Sequence, residues 1–295
     1  MLKYRADSHV QAHTMTFPEA YEALQQGTAA IIVRKDYRDC LLGQGIARPD
    51  QLLRSGQAAD SERRGRGRVV SLPIAGRPGE RMLIRQYLRG GLLRFFNRDL
   101  YWHDRRPSEE LLLTAQAAAA GIPTAQVLAA VSVPCTGPLC RGYLIVRELA
   151  SCCDLPQYLQ TLSNQDRPEF FHEKRRVIKQ VAALVRLMHE RGFFHADLNM
   201  KNILIDTAAP ERLYIIDWDK SYRREPLSTA RRRENVLRLC RSMIKLGRAG
   251  VPVGERDAAL LLKTYGGSTK NLRKDLLLLR LTVGLRGVFW KILSG

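Results

Sequence analysis

The spacing of apolar positions changes character along this 295-residue chain. Val69–Ile74 and Arg81–Leu88 are short apolar runs separated by Gly76-Arg77-Pro78-Gly79. Runs of that length around a glycine–proline turn predict an antiparallel hairpin. Glu109 to Ala120 repeats its apolar residues at helical spacing. Pro107-Ser108 stands at its start and Gly121-Ile122-Pro123 at its end, so a helix is predicted there. Val127–Val133 and Tyr143–Glu148 read as two further strands. Beyond them the period is helical. Glu169 to Arg191 carries Phe170, Val177, Val181, Leu184, Val185 and Met188 on one face and closes at Gly192. Two short apolar runs, Ile203–Ile205 and Leu213–Ile216, interrupt the helices. Helical spacing returns at Thr229–Leu246, Asp257–Tyr265 and Asn271–Leu281. The pattern predicts an α+β protein of two lobes: a small sheet with one helix over 61–149, and a mostly helical lobe over 150–295. Residues 1–60 read as a mostly helical extension, with a loop near Gly43–Asp50.

Composition adds one unusual feature. The 48 Lys plus Arg residues face 29 Asp plus Glu, a balance of +19. Such a surface attracts nucleic acid, anionic lipid or another acidic partner. Nucleic acid is the weaker reading, because no nucleic-acid-binding motif is present. Lys220, Arg223, Arg224, Arg231, Arg232 and Arg233 form one basic cluster; Lys270, Arg273, Lys274, Arg280, Arg286 and Lys291 form another. No apolar run approaches the length of a membrane span, and the first 17 residues lack the apolar core of a signal peptide. The expected attachment is therefore peripheral docking on an anionic membrane. The six cysteines form no paired CxxC sets, which argues against a zinc site or a disulfide framework.

The chemistry is concentrated in Phe193-Phe194-His195-Ala196-Asp197-Leu198-Asn199-Met200-Lys201-Asn202, followed by Ile203-Leu204-Ile205 and later by Ile216-Asp217-Trp218-Asp219. Two carboxylates and a carboxamide sit in turns flanked by apolar strands. Phosphoryl transfer needs a carboxylate to orient the attacking hydroxyl and accept its proton. It also needs oxygen ligands that hold Mg²⁺ against the phosphates of ATP. Asp197 suits the first task. Asn202 and Asp217 suit the second, with Asp219 as a further candidate ligand. The protein-kinase catalytic loop spaces its Asp and Asn five residues apart, as Asp197 and Asn202 are here. His195 is assigned a structural role. No lysine occurs between Lys35 and Lys174, so Arg85 on the second hairpin strand becomes the candidate phosphate donor. Glu110, with Glu109 as competitor, is its candidate carboxylate partner in the first turn of the next helix. Gly65 and Gly67 are candidates for a phosphate-covering loop. Glu148 stands where the hinge and the adenine contacts of a kinase would be.

These segments resemble the bacterial lipopolysaccharide kinases of the protein-kinase-like superfamily, and most nearly those acting on 3-deoxy-D-manno-octulosonic acid (Kdo). The likeness rests on His195–Asp206, on Leu213–Asp219, on Leu83–Leu92 with its Arg-Gly-Gly, and on Glu110–Leu113 followed by Gly121-Ile122-Pro123. It covers about 61–246. It implies ATP- and Mg²⁺-dependent phosphorylation of a sugar hydroxyl of the lipopolysaccharide inner core, on a lipid A precursor at the cytoplasmic face of the inner membrane. Two features depart from that pattern: the length of the first 60 residues, and Trp218-Asp219 where Phe-Asp is expected. A heptose kinase, another small-molecule or protein kinase, and a non-catalytic pseudokinase are the alternatives. Asn199, where a protein kinase usually has lysine, argues against the protein kinase.

Overall fold

The computed structural model describes residues 18–55, 57–58, 69–88, 105–135, 139–164 and 166–266. The helix expected at Asn271–Leu281, the glycines Gly65 and Gly67, and the basic residues from Lys270 to Lys291 lie outside the described residues.

The first lobe is one antiparallel sheet of seven strands. They are β1 (Tyr21–Gln26), β2 (Ala29–Arg34), β3 (Gln57–Ala58), β4 (Val69–Pro73), β5 (Arg81–Gln86), β6 (Val127–Pro134) and β7 (Cys140–Arg147), in the spatial order β1-β2-β6-β7-β5-β4-β3. The hairpin read from the sequence is β4–β5, with Val69 opposite Arg85 and Pro73 opposite Arg81. The expectation of a mostly helical start is corrected. Residues 21–34 form a hairpin turning at Gly27 (φ +61°), and β2 pairs along β6 from Ala30–Ser132 to Val33–Ala129. The β-branched run Ile31-Ile32-Val33 buries both faces of β2, which a strand inside a sheet can do and a surface helix cannot. The helices among the described residues of this region are short: a 3₁₀ turn at Lys35–Tyr37, α1 (Arg38–Gly43) and α2 (Pro49–Ser55).

Helix α3 (Arg105–Ala119) crosses the sheet and sits on Leu111, against Tyr21, Ile32, Tyr87, Val127, Ala130 and Leu144. It begins one turn before the expected start, because Pro107 is tolerated in a first turn, where its missing N–H has no intrahelical partner. Glu110 therefore lies in the second turn. Gly142 on β7 makes the close crossing possible: a Cβ there would lie 2.6 Å from Cγ of Pro107.

The second lobe packs α4 (Leu155–Leu162), α5 (Arg167–Glu190), α6 (Thr229–Arg248) and α7 (Glu255–Tyr265) around a core that includes Val181, Val185, Met188, Trp218 and Leu239. Every apolar position predicted for one face of α5 is buried. Strands β8 (Cys152–Asp154), β10 (Ile203–Asp206) and β11 (Leu213–Ile215) form a small sheet in the order β11-β10-β8, and β9 (Phe193–Phe194) pairs with β12 (Tyr222–Arg223). The lobes meet where the turn after α3 touches β11. The Ile215 N–H donates to the Pro123 carbonyl at 3.0 Å, and the Trp218 indole N–H donates to the Thr124 hydroxyl at 3.0 Å.

Candidate active site

Helix α5 ends at Gly192, whose φ of +80° only glycine adopts cheaply; a Cβ there would meet the Arg224 carbonyl oxygen at 2.8 Å. The chain then runs through β9 into the turn that holds the candidate residues. His195 is fully buried. Its Nδ1 accepts the backbone N–H of Asp197 at 3.2 Å, so Nε2 carries the proton and donates to the Ile216 carbonyl at 3.0 Å. Burial pushes its pKa down, so it stays neutral and ties the Asp197 turn to the strand leading to Asp217. The structural role expected for His195 agrees with this geometry.

Asp197 points outward with its side chain 63% exposed. Its carbonyl accepts the side-chain amides of Asn199 at 3.0 Å and of Asn202 at 2.8 Å. Asn199 also donates to Oδ2 of Asp197 at 3.2 Å. Asn202 closes a short 3₁₀ turn (Met200–Asn202) capped by Asn199. Because its amide nitrogen is committed to the Asp197 carbonyl, its Oδ1 is left as an acceptor with no protein donor among the described residues.

Asp217 follows β11 with φ +67°, in the left-handed region that non-glycine residues rarely occupy. Its Oδ1 accepts Nη1 of Arg85 at 2.6 Å. Arg85 reaches both oxygens of Glu110 through Nη2, at 2.7 and 2.6 Å. The arginine on β5, the glutamate on α3 and the carboxylate after β11 thus form one chain of charge across the lobe boundary. Glu110 is 4% exposed; burial pushes its carboxyl up and the Arg85 guanidinium opposes that. Tyr87 donates its hydroxyl to Glu110, and burial holds that hydroxyl protonated.

Asp219, the further candidate ligand, is paired with Arg106, whose guanidinium lies 5.1 Å over the Tyr87 ring. Both of its carboxylate oxygens are engaged by Arg106 in the first turn of α3, through Nε at 2.7 Å and through Nη2. Glu148 directly follows β7, where its N–H bonds to the Arg81 carbonyl at 2.9 Å. Its side chain lies over the sheet on Ser71 and Arg81. Sequence reasoning gave no role to Tyr87, two residues after Arg85, and missed Arg106, Arg238 and Asn235, which belong to no local motif. Asn235 of α6 is buried; its amide brackets His195, accepting the N–H at 3.0 Å and donating to the carbonyl at 2.7 Å.

Among the described residues, no three His, Cys, Asp or Glu side chains gather to hold a metal by themselves. Mg²⁺ does not require that. It is commonly held by one or two carboxylates together with substrate phosphates and water. The hard oxygens of Asn202 and Asp217 fit such an ion.

The model of the lipopolysaccharide kinase (Kdo/WaaP) family matches residues 54–265. The chain belongs to that family. It is a phosphotransferase. A protein named 3-deoxy-D-manno-octulosonic acid kinase from Xylella fastidiosa (strain M12) is 31% identical over 188 residues, covering 62% of this chain and 70% of the relative. The protein of the same name from Actinobacillus succinogenes is 30% identical over 207 residues, covering 68% of this chain and 82% of the relative. A solved structure titled "WaaP in complex with acyl carrier protein" superposes with TM-score 0.56 at 18% identity. It covers 87% of this chain and 97% of that one, a likeness of fold. The two-lobed kinase-like architecture expected from the sequence is thus the one the kinase has.

Proposed function

We propose that this kinase transfers the γ-phosphoryl group of ATP to a hydroxyl of Kdo in the inner core of lipopolysaccharide, on a lipid A precursor at the cytoplasmic face of the inner membrane. The observation that carries the reading is the convergence of Asp197, Asn202, Asp217 and the Arg85–Glu110 pair in a member of the lipopolysaccharide kinase family. Asp197 orients the acceptor hydroxyl and takes its proton. Asn202 and Asp217 would hold Mg²⁺. An ion held by these oxygens would supply positive charge against the charge that develops on the phosphoryl oxygens. Arg85 offers its guanidinium to the α- and β-phosphates, braced by Glu110. It is pre-oriented, since Glu110 fixes one edge of the fork and Tyr87 fixes Glu110. The relatives named for Kdo support this acceptor over a heptose.

Incubation of the purified protein with ATP, Mg²⁺ and Kdo–lipid A, followed by mass analysis of the lipid, tests the reading. One added phosphate on the Kdo unit is the expected product. Asp197→Ala should lower kcat by roughly 10²–10⁴ and leave ATP affinity nearly unchanged, as for a positioned acid–base group. Phosphate transferred to a heptose-bearing acceptor alone would make this a heptose kinase. ATP binding without any turnover would make it a pseudokinase.

A further inference from the structure

Asp197 has a second neighbour that the reaction as proposed does not use. Arg238, on α6, brings Nη1 to 3.5 Å from Oδ1 of Asp197, and this is the one ion pair of either residue among the described residues. The contact is long for a charge-assisted bond and engages one corner of the guanidinium. The Nε of Arg238 is buried and has no hydrogen-bond partner. Buried donors without partners are rare in folded proteins, and each needs a reason. The side chain as a whole is 38% exposed, beside an Asp197 side chain that is 63% exposed. The cation thus stands at the mouth of the site with most of its donors uncommitted. Arg231, two turns before it and paired with Glu234, and Lys245 and Arg248 beyond it, are exposed on α6. The residue beside Asp197 in the turn, Asn199, carries no charge.

A hydroxyl served by Asp197 must bring the neighbouring atoms of its sugar against Arg238. A neutral sugar would leave the guanidinium with nothing to bind beyond Asp197. A sugar acid would place a carboxylate within reach of a planar fork that matches it in shape and charge. We propose that Arg238 is the residue that reads the acceptor: it binds the carboxylate of an acidic sugar next to the hydroxyl that Asp197 serves, and so selects sugar acids over neutral sugars. This rests on Asp197 being the acceptor-side group of the proposed reaction.

The experiment measures binding and transfer separately. Calorimetry gives the affinities of the full chain, wild type, Arg238→Gln and Arg238→Lys, for free Kdo and for its methyl ester. Nucleotide affinity and thermal midpoint are recorded for each. Wild type should prefer the acid by about 10- to 100-fold, the range of a hydrogen-bonded charge. Arg238→Gln should lose that preference with nucleotide affinity within about twofold, and Arg238→Lys should keep part of it. The proposal is overturned if wild type binds acid and ester alike, or if Arg238→Gln keeps the full preference. It is also overturned if acid, ester and nucleotide affinities fall together, since that marks a structural role. Should Arg238→Gln fail to fold, Arg238→Lys decides the matter: undiminished preference in that variant, at a site built for a fork, counts against the idea. Failure of the functional reading looks different. Wild type would then prefer the acid through Arg238 and yet transfer no phosphate to Kdo–lipid A.

Discussion

Asp217 carries strain and charge at one position. Its left-handed φ of +67° is a conformation that costs a non-glycine residue of order 1 kcal/mol, and the turn after β11 holds it there. In that conformation its carboxylate reaches Arg85 across the lobe boundary, at 2.6 Å. Asp217→Asn keeps the shape and removes the charge. It should weaken nucleotide binding in Mg²⁺ at least tenfold and change binding without Mg²⁺ much less, because the lost term is a charge on the ion. Titration of a fluorescent ATP analogue with and without Mg²⁺ checks this, and equal affinity for both proteins would remove Asp217 from the metal site. Residues at this scale were legible where their spacing is local. Asp197 and Asn202 lie five apart in one turn, so the chain itself brings them together. Arg85 and Glu110 were paired from a wider pattern, the absence of lysine from one lobe. Arg106, Arg238 and Asn235 left no such trace, because their partners lie 113, 41 and 40 residues away.

Elements hold these residues in place by packing, and α3 is the sensitive one. It carries Glu110 and Arg106, and its approach to the sheet is limited by Gly142 beneath Pro107. Gly142→Ala puts a methyl where Pro107 now sits. A ring fixed in a helix cannot swing aside, so α3 must lift. The variant should lose about 1–3 kcal/mol of stability, the usual cost of overpacking, and lose activity through a displaced Glu110. Pro107→Ala in the same chain should restore part of both. A double variant no better than the single one would break the link between this contact and the site. Helices α5, α6 and α7 are joined by a buried polar line: Tyr265 to Nδ1 of His189 at 2.7 Å, and Nε2 of His189 to Asn235 at 3.2 Å. Burial lowers the pKa of His189 to about 4 from the ordinary 6.5. The unfolded chain therefore binds the proton first as pH falls. The stabilisation is fully present above about pH 6.5 and is lost progressively toward pH 4, by about 3 kcal/mol at 1.36 kcal/mol per unit. Buried His195 acts in the same direction. Urea unfolding of His189→Leu across that range should show a shallower fall than wild type. An identical slope would assign the acid sensitivity to other groups.

For the molecule as a whole, charge is the property that matters most. A balance of +19 is larger than solubility requires, and no described helix is long and apolar enough to cross a membrane. Part of the cluster after Asp219 is internally matched: Arg223 pairs with Glu225 and Arg231 with Glu234. Lys220 and Arg224 add to the same region. Each basic side chain near an anionic surface contributes about 1 kcal/mol before screening, so a handful gives attachment that salt reverses. Co-sedimentation with vesicles of graded anionic lipid should show binding that rises with lipid charge and falls above about 0.3 M salt. Binding indifferent to lipid charge, or absent from fully anionic vesicles at low salt, would leave a soluble acceptor as the better reading.

By itself the sequence determined the chemistry and most of the scaffold. Period and turn residues mark the β4–β5 hairpin, α5 and the two carboxylate turns, because each is specified within a few residues of its own chain. Tertiary structure decided three things. It turned residues 21–34 into strands, since Ile31-Ile32-Val33 finds both faces covered only beside β6. It paired Asp219 with Arg106, since α3 packs that side chain into reach. It brought Arg238 to Asp197, since helix packing places α6 against the Asp197 turn. These outcomes depend on which surfaces meet, and that information is spread over the whole chain and carried by no single stretch of it.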